Sequence, residues 1–116
     1  MPAQFQIQIH PARVPQLEVS IVLEECALLA ATESLITSYT AEEGEDDGCY
    51  VNIDLQTTDR SRLWDLVKTK LYGNAKFGAA LAASSMTICT GDDGWDDYML
   101  LHHYDRTLRL DSFEDR

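Results

Sequence analysis

The chain has 116 residues, 20 of them acidic and nine basic, for a formal charge of −11 at neutral pH. That length suits one domain and excludes two of ordinary size. A 45% apolar and 25% charged composition excludes wholesale disorder, and the acidity disfavours direct binding to nucleic acid or to an anionic membrane.

The opening residues Met1-Pro2-Ala3-Gln4 lack a basic region, and Phe5 to Ile9 alternates with glutamine, so no secretory leader is expected. The longest wholly apolar run, Cys26 to Ala31, is far shorter than the roughly 20 residues that cross a bilayer. Cys26, Cys49 and Cys89 are widely spaced with no CxxC pair, which predicts neither a zinc site nor a redox couple. They are expected to be reduced, buried thiols in a cytoplasmic protein.

Phe5-Gln6-Ile7-Gln8-Ile9-His10 alternates apolar and polar residues, the pattern of a half-buried strand, and Pro11 and Pro15 bracket the turn that ends it. Leu17, Ile21 and Leu28, with Val22, Cys26 and Leu29 beside them, then predict a helix over about 15–32. Leu17, Val19, Ile21 and Leu23 also fit a strand before a shorter helix. Ser34 to Ala41, rich in Thr, Ile and Tyr, reads as a strand, and 42–48, with five acids and two glycines, as an exposed turn. Cys49 to Gln56 alternates again, with Cys49, Val51, Ile53 and Leu55 facing the core, which completes a hairpin.

Thr57-Thr58-Asp59 offers a helix N-cap. Leu63, Leu66, Val67 and Leu71 follow at helical spacing, Gly73-Asn74 stops the helix, and a short helix is expected over 75–83. Met86 to Thr90 reads as a strand, Gly91 to Gly94 as a turn, and Tyr98 to Tyr104 as a strand apolar on both faces. Leu108 to Leu110 is a further short strand candidate. The order β-α-β-β-α-(α)-β-β predicts an α+β fold of ferredoxin-like, split β-α-β arrangement. Its sheet is mostly antiparallel, with two helices on one face and an added C-terminal strand. The hairpin tips then place the acids of 42–47 and 92–97 at opposite ends of the sheet.

Neither acidic segment has calcium-loop spacing, and phosphate-binding and hydrolase motifs are absent, so no metal or cofactor is expected. The segment most suggestive of function is 92–98. Trp95 sits among Asp92, Asp93, Asp96 and Asp97, with Tyr98 following, and aromatic side chains amid polar ones are frequent protein-binding anchors. This favours a non-enzymatic module that binds a protein partner, most plausibly a basic one, as an inhibitor or immunity-type protein does. The alternatives are a homodimer formed through strand 98–104 and a small enzyme using Cys89 with His102 or His103. His102 and His103 point to opposite faces if both lie in a regular strand, so they cannot chelate one ion together. Arg60, Arg62, Lys68, Lys70 and Lys76 gather around the second helical region and give the acidic chain a basic side.

Overall fold

The computed structural model describes residues 2–46 and 48–113. The glutamine alternation becomes strand β1, Ala3–Ile9, which runs through the middle of the sheet with Phe5, Ile7 and Ile9 fully buried. Around it lie β2 (Ser38–Glu45), β3 (Cys49–Thr57), β4 (Ser85–Gly91) and β5 (Gly94–His102), in the order β2-β3-β1-β4-β5. Every neighbouring pair is antiparallel. The protein is therefore α+β, with a five-stranded antiparallel sheet and three helices: α1 (Val19–Thr32), α2 (Arg60–Val67) and α3 (Gly78–Ser84). None of these helices is long and apolar enough to cross a membrane, among the described residues.

The alternation of each strand decides which face is covered. Val51, Ile53 and Leu55 of β3, with Cys89 of β4 and Met99 and Leu101 of β5, join the β1 residues beneath Val22, Cys26 and Leu29 of α1, Leu63 and Val67 of α2, and Leu81 of α3. Full burial of a side chain of this size contributes about 1.5–3 kcal/mol. The opposite face carries polar rungs: the Gln6 amide donates to Asp54 Oδ1 at 3.3 Å, and that of Gln8 to Asn52 Oδ1 at 2.9 Å. A buried hydroxyl cluster serves the covered face under β4, where the Tyr72 hydroxyl bonds Ser85 Oγ at 2.9 Å and Thr87 Oγ1 at 2.7 Å. Burial pushes the Tyr72 phenol up to about 12.

Several boundaries differ from expectation. The helix expected from residue 15 starts at Val19, because a 3₁₀ turn, Pro11–Arg13, and the segment after Pro15 precede it. The strand expected over 34–41 is β2, Ser38–Glu45, so Glu42, Glu43 and Glu45 lie in an edge strand and not in a turn. Asp47, at that hairpin's tip, lies outside the described residues. Cys49 was expected in the core and is exposed, since β3 begins beside the tip of the hairpin, whereas Cys26 and Cys89 are buried. The helix expected to run to Leu71 ends its regular winding at Val67 and continues as one π turn, Lys68–Tyr72. Asp59 caps α2 as expected, its carboxylate accepting the Arg62 amide at 3.2 Å. Residues 108–110 form no strand; instead Asp111 clasps β5, its amide donating to the Leu100 carbonyl at 2.7 Å and its carboxylate accepting the Leu100 amide at 2.8 Å.

Candidate functional site

The ribbon from Gly91 to Tyr98 is not the loop expected. Its turn is only two residues, Asp92-Asp93, between the paired Gly91 and Gly94, and β5 starts at Gly94, so Trp95 lies in a strand. Gly94 holds a left-handed backbone (φ 70°), which closes the hairpin and which other residues adopt only at a cost. Between Thr90 and Tyr98 the register slips, and four residues of β5 stand against one of β4. Gly91 permits this close crossing: a Cβ there would collide with the Asp97 backbone.

The slip turns aromatic surface outward. Trp95 is 41% exposed and Tyr98 is 56% exposed, while the next residue, Met99, is fully buried. Asp92, Asp93 and Asp96 are exposed around them, and Asp97 is half-buried across Gly91. All six expected residues thus share one ribbon. Only Asp92 and Trp95 also line the adjoining cleft, of about 530 Å³, together with Gln4, Gln56, Thr58, Arg60 and Thr90.

Arg60 fastens the ribbon to α2. Its guanidinium reaches Asp92 Oδ1 at 3.4 Å and the Thr90 carbonyl at 3.5 Å, and it lies 5.4 Å from the centre of the Phe113 ring. The sequence placed Arg60 in a basic group on the second helix and gave no sign of this role. No pattern links positions 60, 90 and 113; the contact follows from β1 pairing with β3 and β4 together.

The two acidic hairpins lie at opposite ends of the sheet. Ile9 pairs with Val51 near the β2–β3 tip, whereas the β4–β5 tip lies beyond the Phe5–Cys89 pair. A single continuous acidic patch is thereby ruled out for the described residues.

The Cys89 thiol donates to the Thr90 carbonyl at 3.3 Å, and burial pushes it up to about 11, against the opposing influence of Arg60. Such a thiol stays protonated near neutrality and is a poor nucleophile. A bulge near Leu101 turns His102 onto the helix side, where its Nε2 pairs with the Ala82 carbonyl at 2.9 Å and its ring lies 4.4 Å from that of Tyr72. His103 Nδ1 accepts the Asp105 amide at 2.9 Å. Each group's hydrogen bond leads away from the others, which leaves no base poised on the thiol. As for strand 98–104, it ends at His102 and both Leu100 backbone groups are engaged by Asp111. No group of three or more metal-ligating side chains gathers among the described residues.

Comparison with protein-family models, with curated proteins and with solved structures finds no match to this chain.

Proposed function

We propose that this chain is a non-enzymatic protein-binding module whose β4–β5 ribbon engages a partner with a basic, partly apolar surface. The strand order suits a ferredoxin-like arrangement extended by β5, which leaves the ribbon projecting at one end of the sheet. The observation that carries the reading is the exposure of Trp95 and Tyr98 on a ribbon whose neighbouring side chains are carboxylates. Aromatic anchors supply the area that drives association, and surrounding charges set on-rate and partner choice. An inhibitor or immunity-type role, covering a basic surface, is the specific form this chemistry suits.

The test is affinity capture on the wild-type chain, on Trp95→Ala and on a variant with Asp92, Asp93, Asp96 and Asp97 changed to Asn, at low and high salt. The reading expects a basic partner held by wild type, weakened by high salt and by the Asn variant, and weakened at least about tenfold by Trp95→Ala. Partners retained equally by all three chains would overturn it.

A further inference from the structure

Two of the chain's three histidines, His10 and His103, come together at the other end of the sheet, although they are far apart in sequence. Tyr104 is their hub. The His103 ring lies 4.3 Å from the Tyr104 ring, the His10 ring meets it edge-on at 5.6 Å, and the Arg13 guanidinium stacks 3.8 Å over its centre. Two segments far apart in sequence, 10–13 and 103–104, thus deliver cationic or protonatable groups to one surface of a chain whose net charge is −11.

The charges around this cluster are compensated in part, by the Asp105 carboxylate, on which His103 and Arg13 both act. Burial lowers the His10 pKa, and Arg13 and His103 lower it further by repulsion. His102 is lowered by burial, then by His103 and Arg106, against the opposing bond to the Ala82 carbonyl. The carboxylate set against them is that of Asp105, which is engaged by the Thr107 amide and hydroxyl at 3.0 and 2.7 Å. Glu43, Glu45 and Asp46 share this end of the sheet but lie on the β2–β3 hairpin, across β1. The His103 Nδ1 accepts the Asp105 amide at 2.9 Å, and the His10 Nε2 pairs with Gln8 Oε1 at 2.9 Å. Like charges assembled on one surface repel one another, and an anion bound among them relieves that repulsion.

We propose that Arg13, His10 and His103, gathered around Tyr104, form a binding site for a tetrahedral oxyanion, a phosphate or sulfate group, which tightens as the pH falls. Arginine supplies fixed charge and planar donors suited to such groups, and Tyr104 holds the Arg13 donors in place by stacking. His10 adds a positive charge only in mild acid. The site is independent of the β4–β5 ribbon, so the two readings fail separately.

Linkage provides the experiment. An anion that binds protonated His10 must raise the pKa of His10. The imidazole resonances of the intact chain are titrated by NMR in chloride and in sulfate, which stays doubly charged throughout, at equal ionic strength. Phenyl phosphate forms a third arm: binding tighter than sulfate identifies a phosphate ester as the ligand class, and equal binding identifies the free oxyanion. The proposal expects sulfate to move the His10 titration upward relative to chloride. It also expects affinity roughly tenfold higher at pH 5.5 than at pH 8, the gain of one added charge interaction. Arg13→Ala should abolish the shift, and Lys68→Ala, on the helical face, should leave it unchanged. Equal titrations in chloride and in both anions, or a shift that survives Arg13→Ala, would overturn the site.

Discussion

The β2–β3 and β4–β5 hairpins are both acidic and both project from one antiparallel sheet, yet they are built for different ends. In the first, Glu42, Glu43 and Glu45 line an edge strand that is mostly exposed, and its aromatic Tyr39 turns inward, its hydroxyl donating to the Leu23 carbonyl at 3.4 Å. Charges along an exposed edge discourage pairing with other chains. In the second, the register slips and Trp95 and Tyr98 face solvent beside a cleft, with Arg60 as a fastening. Equal acidity therefore marks no site by itself. The difference lies in apolar area held rigidly among the charges.

The largest expected contrast is in thiol reactivity. Cys49, exposed at the start of β3, should react with a thiol reagent in the native state. Buried Cys89 and Cys26, pushed up to about 11 and about 12, should react on the order of a thousandfold more slowly, through opening of the fold. Comparable labelling of all three thiols without denaturant would contradict the described packing. The glycines form the next pair. Gly91→Ala drives a Cβ into the Asp97 backbone and should cost about 1–3 kcal/mol in a denaturant melt. Gly44→Ala on the other hairpin meets only the movable Tyr50 ring and should stay within about 0.5 kcal/mol. Equal losses would mean that the slipped crossing is no tighter than the plain one.

Arg60→Ala should cost roughly 1 kcal/mol, mostly through lost packing, because its partner Asp92 is largely exposed and such an ion pair contributes little. It should also loosen the Asp92 to Trp95 resonances while leaving the β2–β3 hairpin untouched. Smallest of all, changing Glu42, Glu43 and Glu45 together to Gln should leave stability nearly unchanged and instead favour self-association at higher concentration. Light scattering reads that outcome, and an unaltered monomer would deny the edge-guarding role.

At the alkaline end, the buried Tyr72 phenol supplies a further check. Its folded value, about 12, lies above the ordinary value of 10.0, so its contribution is present below pH 10 and is lost as the pH rises through 12. Tyr72→Phe should flatten that loss.

The strands with two-fold alternation, β1, β3 and β4, were legible because each has one apolar and one polar face. So were the Asp59 cap and the Asp92-Asp93 turn. The start of α1 was not, since Val19, Ile21 and Leu23 alternate as a strand does, and Ile21 and Leu28 remain 36% and 55% exposed on the finished helix. The position of β2 is set by its pairing with β3, which overrode the stronger strand propensity of Ser34–Ala41. In the candidate site, composition indicated the ribbon, but not that Trp95 would lie in a strand or that Arg60 would reach it. The register slip and the bulge that turns His102 are products of pairing, and local sequence does not encode them.

The central place of β1 has a kinetic consequence. Its partners begin more than forty residues away on one side and nearly eighty on the other, so half of the sheet's interior pairing closes long loops. Such non-local topology folds in milliseconds to seconds, slower than helical bundles of similar size. A cut between β3 and β4 leaves the middle strand with β2 and β3 and takes it from β4, so the fragment that carries β4 and β5 should acquire stable structure only when mixed with the first.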